Sequence, residues 1–360
     1  MTNDHLPGPA PRPRGRRVLA ALLAAAALTF GAAGCVQRED NTVAIANETV
    51  DVASLQNLTL RVGDQKGGTE ALLRASGELE KLPFTIDFST FTSGPPQIEA
   101  ATAGKIDFAV TGNTPPIFGA ASNAKVKIVT AYANNASGDA ILIPGDSSIA
   151  SVSELKGKKV AVAKGSSAHG HLLLQLTKVG LTLGPDKDVE PVFLQPADAL
   201  SAFTSGNVDA WAIWDPYTAI VQLENNPETL VTAEGVSNGF GFGIAGDEAL
   251  ADPRRNTAVR ELALGIARAA RWAAANPESW ARQYSAEVGI DPRAGAIAQG
   301  RSLRPAIALD ADVVASQQKL ADAFADSGQL QGEVDFGRFV DDRYNEALTP
   351  LFGQNATAGR

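Results

Sequence analysis

An α/β fold of two similarly built lobes with a ligand cleft at a hinge is the architecture this sequence predicts. Three observations carry that expectation. Strand-like and helix-like segments alternate from residue 58, the pattern of a parallel-type sheet with helices on its faces. The same order of segments returns about 100 residues later. Helical sequence then dominates to the end, as if returning to the first lobe.

In the first lobe LTLRVGD (58–64) is a strand, and KGGTEALLRASGELEKL (66–82) opens with glycines and continues as an amphipathic helix. FTIDFSTF (84–91) is a strand, IEAATAGK (98–105) a helix and IDFAVTG (106–112) a strand. In the second, KKVAVA (158–163) is a strand and KGSSAHGHLLLQLTKVG (164–180) a loop and helix. VEPVFL (189–194), ALSAFTSG (199–206) and VDAWAIW (208–214) read as strand, helix and strand. The match extends to single residues. Lys66-Gly67-Gly68-Thr69 parallels Lys164-Gly165-Ser166-Ser167, and Gly104-Lys105-Ile106-Asp107 parallels Gly206-Asn207-Val208-Asp209. Asn113-Thr114-Pro115 parallels Asp215-Pro216-Tyr217 with the proline shifted by one. Crossovers near Ala133–Asp139 and Asn238–Gly243 divide the chain into lobe 1 (57–135 and 241–350) and lobe 2 (136–240), with a tail at 351–360. The glycines of SNGFGFGIAG (237–246) suit a hinge. The aromatics of the C-terminal helices, Trp272 and Trp280 included, read as core.

The first 34 residues are expected to be a signal peptide. Arg12, Arg14, Arg16 and Arg17 precede the apolar run Val18–Phe30, which is shorter than the about 20 residues a spanning helix needs. Small residues then lead to Cys35, the single cysteine, in the manner of a lipobox. Cys35 is the expected lipid attachment, and residues 35–56 a tether. Whether export is of the general or the twin-arginine type is left open. The full chain carries −9, and residues 1–34 hold four Arg and one Asp, so the remainder carries −12. That disfavours nucleic acid as a broad-area partner. No disulfide is available to the folded part. An exported, lipid-anchored and otherwise soluble monomer is expected, on the outer face of the cytoplasmic membrane.

The repeated loops lie at the carboxyl ends of the strands, where ligands of open α/β sheets bind. KGSSAHGH (164–171) opens a helix, whose first N–H groups and dipole favour an oxyanion. Gly165 permits close approach, Ser166 and Ser167 add hydroxyls, and His169 lines the pocket or packs beneath the loop. His169 and His171 stand two apart and face different ways on a helix, which argues against a metal. No metal and no cofactor is expected. Gln65, Lys66, Gly67 and Thr69 form a second donor-bearing turn. Ser93, Gly94 and Pro95 in TSGPP (92–96), and Asn113 and Thr114 in GNTPP (112–116), form rigid turns. Trp214 and Asp215 supply an aromatic wall and a carboxylate, whereas Trp211, on the opposite side of the strand, belongs to the core. No G-x-S-x-G elbow occurs to support a nucleophile.

Taken in order, QKGGT (65–69), SGPPQIEAATAGKIDFAVTGNTPPIF (93–118), SELKGKKVAVAKGSSAHGHLL (153–173) and PADALSAFTSGNVDAWAIWDPY (196–217) resemble the aliphatic sulfonate-binding proteins of ABC importers, within the nitrate/sulfonate/taurine-type group. The resemblance implies a type 2 periplasmic-binding-protein fold, no catalysis, and delivery of a sulfonate to a permease with a cytoplasmic ATPase. The group's usual GDxPP motif has Asn113 in place of the acid, which removes repulsion toward an anion or a partner for a ligand amine. Other ligands remain open: nitrate, a sulfate ester, an aromatic sulfonate or a pyrimidine precursor. An enzyme of the same fold, the thiamine-pyrimidine synthase, has a cysteine-rich loop that this chain lacks. A DNA-binding regulator would need a segment in place of the expected signal.

Overall fold

The computed structural model describes residues 45–66, 68–302 and 304–353. The expected signal, Cys35 and the first part of the tether lie outside the described residues, as do Gly67 and residues 354–360. Eleven strands run along the chain: β1 Thr59–Gln65, β2 Thr85–Phe91, β3 Phe108–Gly112, β4 Val126–Tyr132, β5 Ala140–Ile143, β6 Lys159–Val162, β7 Glu190–Phe193, β8 Ala210–Ile213, β9 Glu228–Thr232, β10 Gly241–Gly246 and β11 Ala306–Ile307. The helices are α1 Thr69–Ser76, α2 Gly94–Thr102, α3 Pro115–Ala121, α4 Ser167–Lys178, α5 Pro196–Thr204, α6 Tyr217–Glu224, α7 Asp247–Ala251, α8 Pro253–Ala275, α9 Pro277–Val288, α10 Pro292–Arg301, α11 Ala311–Asp326 and α12 Asn345–Leu348.

Two sheets form, ordered β11-β4-β10-β3-β1-β2 and β7-β6-β8-β5-β9. The internal repeat is visible in them, since the order β2-β1-β3-β10-β4 corresponds strand for strand to β7-β6-β8-β5-β9. Within each, three strands are parallel. The expected parallel-type sheet is nonetheless mixed. The fourth strand of each sheet, β10 or β5, runs antiparallel to both neighbours. The reason is the double crossover. The chain enters the second sheet through β5 and returns through β10, so each sheet takes its antiparallel strand just after the chain has passed from the other. The glycine-rich segment expected to hinge is therefore largely strand β10, paired on both edges.

Helix boundaries differ from expectation where prolines and glycines act. The predicted helix 66–82 stops at Gly77, which takes the left-handed conformation (φ +70°) and whose N–H donates to Arg74 O at the end of α1, and a short 3₁₀ turn follows. The two proline pairs expected as rigid turns open helices instead. Pro95-Pro96 begins α2 and Pro115-Pro116 begins α3, where a missing N–H costs nothing.

The core divides by sheet face. Leu60, Val62, Phe108 and Val129 meet Val259, Leu262 and Ile266 of α8 on one face of the first sheet. Trp211, Phe203 and Val221 fill one face of the second. Helix α8 returns to the first sheet as expected, but α10 packs on α6 and α11 on α4, both carried by the second half. Part of the predicted tether is also docked: Leu55 is buried, and Asn256 Nδ2 donates to Glu48 O at 2.7 Å. Among the described residues no helix is long and apolar enough to cross a membrane.

Candidate functional site

A cavity of about 170 Å³ lies where the carboxyl ends of β1, β3, β6 and β8 converge. Of the residues expected at a ligand, Gln65, Lys66, Thr69, Gly94, Asn113, Ser166, Ser167, Trp214 and Asp215 line it. Trp211 is buried in the core, on the other side of its strand from the cavity wall. Gly94 is required by packing, because a Cβ there would run into Thr111 Oγ1 and the Pro115 ring.

Helix α4 supplies the donor-rich end. Ser166 caps it, its Oγ accepting from His169 N at 3.3 Å while donating to Ala163 O at 2.7 Å. The N–H groups of Ser167 and Ala168, in the first turn, have no intrahelical acceptor. The α1 end is different. Asp64, at the end of β1, accepts from Thr69 N at 2.7 Å and Glu70 N at 3.1 Å. The second turn expected to offer donors is thus already closed by a carboxylate of the chain itself. Burial pushes that carboxyl up to about 6, even against the backbone N–H groups of Thr69, Glu70 and Gln65, which favour its ionised form.

Five expected contacts do not line the cavity, each because its polar atoms or surface are committed elsewhere. Ser93 Oγ donates to Gln195 Oε1 at 3.2 Å, beside Thr92 Oγ1 at 2.9 Å, so this turn joins the two halves of the molecule. Pro95 sits against Gly165, and Gly165 N donates to His169 Nδ1 at 3.1 Å. Thr114 Oγ1 donates to Asn113 Oδ1 at 3.0 Å. His169 is fully buried among Phe118, Phe193 and Phe324, with ring centroids 6.0, 5.4 and 5.1 Å away. Burial drives its imidazole down to about 4, with Lys164 adding to the effect, so the ring is neutral at physiological pH. His171 is likewise buried and lowered to about 4. His169 packs the second half against α11, whereas His171 lies beside Gln175, whose Nε2 donates to Thr232 O of β9. Among the described residues no group of three His, Cys, Asp or Glu side chains could hold a metal ion.

Asn113 lines the cavity with its amide engaged. Its Nδ2 donates to Ser237 Oγ at 2.9 Å and Asn238 Oδ1 at 2.7 Å, and its carbonyl accepts from Gln317 Nε2. An amide is needed here because a carboxylate could make neither donation.

Several lining residues were not legible in the sequence. Asp139 arrives from the first crossover, Arg304 from the segment before β11, and Trp280, Tyr284 and Gln299 from α9 and α10. Trp280 belongs to the core as expected, yet with Leu72, Ile266 and Ala273 it also walls an apolar part of the cavity. The Asp139 carboxyl is pushed up to about 7 by burial, aided by neighbouring Asp215 and opposed by Arg304 and the Ser167 hydroxyl. Burial also raises Asp215 to about 6 against the pull of Arg301, whose Nη1 lies 3.8 Å from Asp215 Oδ2.

The family model described as NMT1/THI5 like matches residues 91–280, more than half of the chain. The chain belongs to the NMT1/THI5-like family. This NMT1/THI5-like protein is 38% identical over 208 residues to a protein of Escherichia coli K12 provisionally named an aliphatic sulfonates-binding protein; the match covers 57% of this chain and 62% of that relative's length. Among solved structures, the alkanesulfonate-binding protein SsuA of Xanthomonas axonopodis pv. citri bound to MOPS superposes with TM-score 0.71 at 30% identity, over 79% of this chain and 98% of that one. The periplasmic aliphatic sulphonate binding protein SsuA of Escherichia coli gives 0.68 at 32% identity, over 79% and 92%. The fold of this NMT1/THI5-like protein is that of the periplasmic binding proteins.

Proposed function

We propose that this NMT1/THI5-like protein is the extracytoplasmic solute-binding component of an ABC importer, that it captures aliphatic sulfonates, and that it performs no chemistry on them. The observation that carries the reading is the first turn of α4, where the N–H groups of Ser167 and Ala168 have no intrahelical acceptor, facing a cavity with apolar and aromatic walls. The N–H groups there suit the oxygens of a sulfonate. Trp214 and the wall of Leu72, Ile266, Ala273 and Trp280 suit its tail. The sulfonate-binding relatives support the same ligand class. On this reading the halves 57–135 with 241–350, and 136–240, act as lobes that close on the ligand. The protein, a monomer held to the membrane by a lipid on Cys35, then passes the ligand to a permease driven by a cytoplasmic ATPase.

Calorimetric titration of the purified protein tests this reading. The ligands are straight-chain alkanesulfonates of increasing length, with taurine, sulfate, nitrate and a pyrimidine for comparison. Affinity is expected to rise by up to about 0.8 kcal/mol for each buried methylene until the apolar wall is covered. Binding of another ligand in the series, with no heat from any sulfonate, would overturn the substrate.

A further inference from the structure

The cavity poses an electrostatic problem for an anion. Its acidic lining is three aspartates, Asp64, Asp139 and Asp215, against two cations, Lys66 and Arg304. Asp64 is held on the N-terminus of α1. Asp215 Oδ1 accepts from Ala219 N at 3.1 Å, and its Oδ2 is enclosed next to Gly138 and faces Arg301. Asp139 is the one placed beside the α4 end of the cavity. It lines the cavity together with Ser166 and Ser167 at the start of α4, and the Ser167 hydroxyl acts on its carboxyl to favour the ionised form. A sulfonate held on that turn therefore meets Asp139 at close range, and an ionised carboxylate there would repel it.

We infer that Asp139 is a specificity-determining residue that carries a proton when a sulfonate is bound, so that the site takes up a proton with the ligand wherever Asp139 is ionised in its absence. The inference rests on the sulfonate reading above. The proton comes from solvent and forms an O–H bond on Asp139. The ligand and the acid together then carry a single negative charge, and the neutral acid donates to a sulfonate oxygen instead of repelling it. The groups around Asp139 are compatible with this. Ser167 on α4, Asp215 after β8 and Arg304 before β11 act on it directly. Asp64 and Lys66 at the end of β1, Tyr132 at the end of β4 and Tyr284 on α9 complete the ionisable wall, with Arg301 behind Asp215. Burial already brings the carboxyl to about 7, so protonation near neutral pH needs only a small further push.

The test is calorimetry of the purified protein with pentanesulfonate at pH 6, 7 and 8, each in two buffers of different ionisation enthalpy. Net proton uptake is expected at pH 7 and 8, with affinity rising as pH falls, by up to tenfold per unit where the profile is steepest. Asp139→Asn should flatten the profile between pH 6 and 8. Ser167→Ala should weaken binding overall and move the midpoint to higher pH, because the acid loses the donor that favours its ionised form. Sulfonate binding without proton uptake would overturn the inference, as would a full pH slope in Asp139→Asn. Tighter binding of an aminosulfonate of equal length, with proton release, would overturn it too. If no sulfonate binds at any pH, the parent reading falls and this one with it.

Discussion

Asp107 and Asp209 occupy the same place in the two halves, and their surroundings predict unequal importance. Each carboxylate accepts a backbone N–H of the neighbouring strand: Arg61 N to Asp107 at 2.8 Å and Lys159 N to Asp209 at 2.8 Å. Asp107, with 2% of its side chain exposed, also binds Arg61 Nη2 and Arg255 Nη1, both at 2.6 Å. Asp209 is 38% exposed, and among the described residues its one charged partner is Lys158 Nζ at 3.7 Å. Asp107→Ala strands two arginines and should cost about 3 kcal/mol in denaturant unfolding, whereas Asp209→Ala should cost about 1 kcal/mol or less. Asn113→Asp is predicted to fail for a related reason. It sets a carboxylate oxygen against Asn238 Oδ1, and should lower stability by about 1–3 kcal/mol and weaken sulfonate binding. Unaltered stability together with tighter sulfonate binding would contradict this account of the residue.

At the scale of elements, the repeated glycines explain themselves once the helices are seen. Gly104 and Gly206 follow the ends of α2 and α5 in the left-handed conformation, at φ +63° and +73°, and let the chain turn into β3 and β8. A Cβ on Gly206 would meet nothing within 4 Å, so Gly206→Ala measures backbone strain alone and should cost about 1 kcal/mol in urea unfolding. That repeat was readable in the sequence because turn chemistry is local. The contact between the two halves was not. Gln195, at the start of α5, accepts from Thr92 and Ser93 across the cleft. Losing about 1 kcal/mol of hydrogen bonding in Gln195→Ala should speed ligand dissociation about fivefold in stopped-flow measurements, if these bonds form on closure. Dissociation at the native rate would show that the contact does not hold the cleft shut.

Over the whole molecule, two sets of buried groups oppose each other in acid. His169 and His171 are neutral down to about pH 4, below the ordinary 6.5, so the stability they provide is lost as pH falls from 6.5 toward 4. Asp64, Asp139 and Asp215 have folded values near 6, 7 and 6, above the ordinary 3.8, so the stability they provide is present in acid and lost as pH rises toward 6–7. The windows overlap. The ligand-free protein should show a shallow dependence of its urea midpoint between pH 4.5 and 6.5. His169→Gln with His171→Gln should be less stable at neutral pH and should lose stability steadily as pH rises through that window.

The sequence by itself determined the alternation of strand and helix, the twofold repeat and the loops at the strand ends. Those features rest on periodicity and turn chemistry, which act over a few residues. Only the tertiary structure decided which donors remain open for a ligand. Asp64 closes the α1 end, Ser93 joins the halves and His169 sinks among three phenylalanines, while Asp139 and Arg304 come to the cavity from a crossover and a C-terminal connection. The Asp64 cap is local, five residues from Thr69, but the other placements join distant parts of the chain, as Ser93 and Gln195 do across 102 residues, and no local pattern records that proximity.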